Sequence, residues 1–188
     1  MSGNRKNLTS PNGDVRTLLP FRKAVIIYDL TFYFGNTFLA RNDRTVDQMF
    51  QAARSGKQNI AEGSAAGVTS METAIKLTNV AKASFLELLL DYEDFLRVRN
   101  LRQWEKDSEE VRFLRKKSTV SAVPDQWFVD LAKTRPAETV ANMAIVFLHQ
   151  EDYLLQKQLD ALERKFLSRG GFREQLLSAR LKKRDGEN

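Results

Sequence analysis

Apolar residues return every three to four positions along most of this chain, the spacing of helices that bury one face. From Pro20 onward, Phe21, Val25, Tyr28, Phe32, Gly35 and Leu39 form one row, and Ala24, Ile27, Thr31, Phe34 and Phe38 widen it. The uninterrupted run is too long for a strand and does not alternate with period two, so it predicts a first long helix. Asn42 and Asp43 break it, and they can cap a second helix over about Arg44 to Ala65. On that helix Val46, Met49, Phe50, Ala53, Gly56, Ile60 and Gly63 share the inner face. Each glycine there costs about 1 kcal/mol against alanine. Two of them on one apolar stripe therefore predict close approach of a neighbouring helix.

Gly67 to Ser70 reads as a turn whose Ser70 or Thr69 can cap a third helix running from Met71 to about Asn100. At 1.5 Å per residue that helix is about 45 Å long. Met71, Ile75, Thr78, Ala81, Phe85, Leu88, Tyr92 and Phe95 form its main stripe, and Leu77, Val80, Leu86, Leu89, Leu90 and Leu96 broaden it. A helix this apolar is expected to be surrounded by protein, either its own chain or a second copy. Residues 101–118 form a short basic segment with Trp104, Val111, Phe113 and Leu114 as anchors, and residues 118–136 read as a linker carrying Trp127 and Phe128. A fourth helix is expected from Ala137 to about Ser168, stopped by Gly170 and Gly171. Phe172 to Arg184 then reads as a short basic helix. The predicted fold is all-α, an antiparallel four-helix bundle with a C-terminal helical extension. Its divisions are a flexible arm over 1–19, three helices and the basic segment over 20–117, the linker 118–136, the fourth and suffix helices over 137–184, and a tail over 185–188.

Composition narrows the chemistry. The 188 residues include no cysteine and one histidine, His149. Disulfides, iron–sulfur clusters, thiolate zinc sites and cysteine nucleophiles are excluded, as is any multi-histidine metal site. No stretch is long and apolar enough to read as a membrane span, and the polar Met1–Leu19 lacks a signal-peptide core, so a cytoplasmic protein without membrane contact is expected. No catalytic, cofactor or metal site is predicted. His149 reads as a partly exposed hydrogen-bonding residue. Asn59 and Glu62, with Ser84 and Glu87, are expected near a helix interface, where they bond to one another and to Arg54 or Lys57 and fix helix register. An acid/base or metal pair made of Glu62 and Glu87 is the sharper alternative, unsupported by any accompanying histidine or phosphate loop.

Two strings carry a family resemblance. Ser55 followed by Asn59-Ile60-Ala61-Glu62-Gly63, and then Ser84-x-x-Glu87, resemble the motif of the bacterial four-helix-bundle proteins first noticed as products of intervening sequences in large-subunit ribosomal RNA genes. The accessory protein of diversity-generating retroelements shares that fold family. Ala141-Asn142, Gln150 to Leu155, Gln158-Leu159, Leu162-Glu163 and Gly170-Gly171-Phe172-Arg173-Glu174 resemble the suffix domain appended to such bundles. Together the matches cover roughly residues 20–184. One departure is Gly56-Lys57, where many members have Ile-Pro. The resemblance implies a homo-oligomeric ring, a pentamer in related members, with no catalytic activity. For the retroelement protein it implies a basic surface presented to nucleic acid and to a reverse transcriptase.

Charge is distributed unevenly. Residues 97–117 hold eight basic and four acidic side chains, and residues 164–184 hold eight basic and one acidic, in a chain of net charge +6. Candidate nucleic-acid contacts are therefore Arg97, Arg99, Arg102, Arg112, Arg115, Lys116 and Lys117 in the first cluster. Arg169, Arg173, Arg180, Lys182, Lys183 and Arg184 are those of the second. Whether the clusters meet depends on helix direction. Trp104, lying among arginines, could stack on a base or pack the end of the bundle. Two functional readings follow: an oligomeric adaptor that binds nucleic acid, RNA in preference to DNA, or a protein-interaction scaffold whose basic tail engages an acidic partner.

Overall fold

A computed structural model of the chain describes residues 14–40, 42–120, 122–169, 177, 180 and 181. Among these residues there are six α-helices and no strand. They are α1 (Leu19–Phe38), α2 (Arg44–Ala66), α3 (Met71–Val98), α4 (Glu109–Thr119), α5 (Gln126–Ala132) and α6 (Ala137–Arg169), preceded by one 3₁₀ turn (Val15–Thr17). The fold is all-α. The four long helices close a bundle in which α2 lies between α1 and α3, and α6 lies between α3 and α1.

The helix ends follow local chemistry. Pro20 occupies the first turn of α1, where its missing N–H leaves no bond unmade. The Asp43 carboxylate accepts from the Thr45 amide at 2.9 Å and caps α2, and the Ser70 hydroxyl accepts from Thr73 and caps α3. At the end of α3, Asn100 takes a left-handed conformation (φ 52°), and the Leu101 amide donates back to the Leu96 carbonyl at 2.9 Å.

The α1–α3 layer centres on aromatic contacts. Phe34 packs edge-on against Tyr92 and Phe95, with ring centres 5.0 and 4.8 Å away. The Tyr92 hydroxyl donates to Thr31 Oγ1, which donates in turn to the Ile27 carbonyl, so this buried polar pair is satisfied. Of the two rows expected on α1, the second faces the core: Ala24, Ile27, Thr31 and Phe34 are buried, whereas Phe32 of the first row is exposed.

The expectation of a linker is corrected, and α6 is more enclosed than α3. The segment read as a linker contains α5, whose Phe128, Val129 and Ala132 are buried, and a bidentate Arg22–Asp125 pair at 2.8 and 2.9 Å ties its start to α1. The helix enclosed on every side is α6, in which all residues from 141 to 148 are buried. Helix α3 packs against α2 and α6 but leaves Val80, Leu86 and Leu90 exposed by 40, 56 and 52%. The physical reason is that α4 and α5 fold back over α6 and give it the additional cover.

The expected close approach at the α2 glycines is present. A Cβ on Gly56 would lie 2.5 Å from the ring of buried Phe85, and one on Gly63 would lie 3.3 Å from Leu77 Cβ. Gly56→Ala should therefore destabilise the protein by about 1–3 kcal/mol through overpacking. Gly63→Ala should be near neutral, because a helix-propensity gain of about 1 kcal/mol offsets a milder contact. Denaturant unfolding of the two variants checks the contrast.

Candidate nucleic-acid interface

The first basic cluster is built where the chain leaves α3. The left-handed turn at Asn100 sends residues 101–107 across the N-terminal end of α6. There the buried Asn142 holds them: its side-chain amide donates to the Arg102 carbonyl at 2.8 Å and to the Glu138 carbonyl at 2.9 Å, and its Oδ1 accepts from the Trp104 amide at 2.7 Å. Ser108 then caps α4. Val111 and Leu114 sit in the core, while Arg112 and Lys116 point to solvent.

The candidate residues of this cluster differ in what occupies them. Arg97 pairs with Asp94 at 2.6 Å on its own helix, and Arg102 lies 3.6 Å from Glu110. Exposed pairs of this kind are worth little and exchange readily with solvent. Arg99 stacks over the Phe95 ring at 4.1 Å. Lys117 lies over Phe113 and Trp127 at 5.7 and 6.0 Å. Arg115 donates to the Lys106 carbonyl at 3.2 Å. Arg112, Arg115, Lys116 and Lys117 thus share the short helix α4, with no carboxylate paired to them among the described residues.

The second cluster is only partly within the described residues. Arg169 closes α6, and Arg180 is helical and exposed; Arg173, Lys182, Lys183 and Arg184 lie outside the described residues. Helix direction places the described start of the second cluster. Lys82 of α3 reaches Asp152 at 3.1 Å and Gln156 at 2.7 Å, while the Arg102 amide reaches Glu138 at 3.3 Å. Helices α3 and α6 are therefore antiparallel, and the C-terminal end of α6 lies at the opposite end of the bundle from residues 97–106.

The polar motif divides into a part at the interface and a part in solvent. Ser55 and Ser84 face each other across α2 and α3 with hydroxyls 2.9 Å apart, and the Asn59 amide donates to Ser55 Oγ at 3.2 Å and to its carbonyl at 2.9 Å. Gly63 is buried beside them. Glu62 and Glu87 are exposed, which corrects the expectation that both need partners at an interface. Each stands two residues beyond a buried apolar residue, Ile60 and Phe85, and two residues on a 3.6-residue helix turn the side chain to the far side. Acidic side chains crowd around Asp91, where burial and then the neighbouring Asp94 and Glu87 raise its pKa.

A buried charged group escaped the reading of the sequence. Glu151 on α6 is fully buried, and neither carboxyl oxygen has a hydrogen-bond partner among the described residues. Its pKa is raised well above the usual range by burial, against the opposing field of Lys23. Lys23, itself buried, donates to the Ser118 carbonyl at 3.1 Å and lies 5.0 Å from the centre of the Phe147 ring. His149, two residues away, is exposed. The only cue to this burial was the absence of a polar face around residues 141–148 of the same helix.

Among the described residues no group of histidine or carboxylate side chains is arranged to hold a metal, and no helix is long and apolar enough to cross a membrane. No family model matches the chain, and neither the curated proteins nor the solved structures contain a match.

The raised pKa of Glu151 makes stability fall as pH rises. Between its unfolded value near 4.5 and its higher folded value, the folded state holds the proton that the unfolded state has lost. Glu151→Gln keeps the shape and removes the ionisation. The variant should match the parent at about pH 4, below the unfolded value, and exceed it in denaturation midpoint at about pH 8. Urea titrations of both proteins at the two pH values check this.

Proposed function

We propose that this protein is a non-enzymatic, homo-oligomeric adaptor that binds nucleic acid, RNA in preference to DNA. In this reading it works in the cytoplasm as an accessory to a reverse transcriptase, as its resemblance to the intervening-sequence and retroelement accessory proteins implies. The observation that carries the reading is the basic character of α4. Arg112, Arg115, Lys116 and Lys117 present four cations on three turns of helix with no carboxylate paired to them among the described residues. Phosphate chains bind such a surface by releasing their condensed counterions. Self-association is supported by α3, whose Val80, Leu86 and Leu90 form an exposed apolar ridge beside Ala83. A ring of copies repeats the α4 surface by symmetry and multiplies its field.

Titration of labelled single-stranded RNA at about 50 mM and about 200 mM salt tests the first half. Affinity should fall steeply between the two, and the pair Arg112→Gln and Lys116→Gln should reduce both affinity and salt slope while leaving the unfolding midpoint unchanged. Absent binding at low salt would leave a scaffold for a protein partner. Light scattering tests the second half. The parent should show several times the 21.6 kDa chain mass, and the pair Leu86→Glu and Leu90→Glu should return it to the mass of one chain. A monomeric parent rejects the ring.

A further inference from the structure

We infer that the cleft between α4, α6 and residues 101–107 is a binding site for one nucleotide, with the base against Trp104 and Tyr153 and the phosphate on Arg115 and Lys106. The cleft encloses about 710 Å³, within the range of small-molecule sites. Three kinds of side chain line it, and each matches one part of such a ligand. Val111, Ile145 and Val146 make an apolar floor. Trp104 and Tyr153 supply aromatic faces; Gln103 Nε2 donates to Glu93 and Gln150 Oε1 accepts from Ser118, which leaves Gln103 Oε1 as an acceptor and Gln150 Nε2 as a donor for a base edge. Lys106 and Arg115 supply positive charge.

No aspartate or glutamate lines the cleft. Residues 101–107 include Glu105 and Asp107, and both face solvent outside it. Arg115 is half-buried and makes no ion pair among the described residues; one of its N–H groups is used by the Lys106 carbonyl, and a guanidinium has five donors. A half-buried cation in an acid-free cleft favours an anion. A bare phosphate has no use for the aromatic faces, and an apolar ligand has no use for the two cations. A nucleotide uses both.

The cleft is also pre-formed. Ile145, His149 and Tyr153 recur every four residues along one face of α6, and Val111 and Arg115 do the same on α4. Asn142 fixes the position of Trp104, and the Ser118 hydroxyl bonded to Gln150 at 3.1 Å fixes the end of α4. Lys157, outside the cleft lining, lies 5.6 Å from the Tyr153 ring. This inference rests on the nucleic-acid reading for an unpaired nucleotide within RNA, and stands apart from it for a free mononucleotide.

Calorimetric titration with adenosine monophosphate, adenosine, inorganic phosphate and a single-stranded oligoadenylate separates these sources. The monophosphate should bind more tightly than adenosine or phosphate alone. Arg115→Gln should bring it to the affinity of adenosine. Tyr153→Ala, at a side chain exposed by 61% and so harmless to folding, should weaken it at least about fivefold, the lower end for losing one stacking partner. Arg112→Gln and Lys116→Gln, outside the cleft, should leave it unchanged. Oligoadenylate binding that depends on Tyr153, without monophosphate binding, assigns the cleft to a nucleotide within a chain. Monophosphate binding without any oligoadenylate or RNA binding keeps the cleft and removes the nucleic-acid reading. RNA binding that is indifferent to Tyr153→Ala, with no monophosphate binding, overturns the cleft and leaves the α4 surface standing.

Discussion

The structure depends on enclosing the middle of α6. Eight consecutive residues, 141 to 148, are buried, and all but Asn142 are apolar. A helix buried around its whole circumference needs more than the two neighbours that a corner position in a four-helix bundle supplies. Helices α4 and α5 provide the rest of the cover. The long connection between α3 and α6 is for this reason part of the core, with Val111, Leu114, Phe128 and Ala132 all buried. The polar exception is handled by bonding: Asn142 satisfies its amide through backbone groups of Arg102, Trp104 and Glu138. Those same bonds place Trp104 beside α6. The wall of the cleft is therefore a by-product of satisfying a buried amide.

Enclosing α6 leaves α3 with a surplus. Helix α3 is as apolar in sequence as α6, yet the two extra helices lie on the other side of the bundle, and Leu86 and Leu90 face outward one turn apart. Its buried side is packed closely by the glycines of α2, since the Phe85 ring occupies the space that a side chain on residue 56 would take. One face of α3 is thus tightly specified, and the opposite face carries Val80, Leu86 and Leu90 among Asn79 and Glu87 without a covering element among the described residues.

The fold was legible in the sequence where periodicity is long and punctuation strong. The limits of α2, α3 and α6 fall within about two residues of those expected from Asp43, Ser70 and Pro136. Helix α4 was obscured by its charge, since only Val111 and Leu114 of its eleven residues are buried. Helix α5 was obscured by its seven-residue length, too short for a period to register. For the interface, charge counting picked out the α4 cations, the family resemblance picked out Ser55, and helical spacing placed Asn59 and Ser84 near a helix contact. The same spacing misplaced Glu62 and Glu87, whose side of the helix is set by two-residue offsets from Ile60 and Phe85. The burial of Glu151 and Lys23 could not be read locally, because it depends on which helix the later elements choose to cover.

Helix direction also bears on how the positive charge can act. The α4 cations lie alongside residues 145–150 of α6, through Val111, Arg115 and the Ser118–Gln150 bond. Arg164 is a further fourteen residues along, about 21 Å at 1.5 Å per residue. That is more than two screening lengths at physiological salt, about 8 Å each. Arg164 and the α4 cations therefore do not reinforce each other's field. Acidic residues between them, Asp152 and Asp160 on the same helix, separate them further.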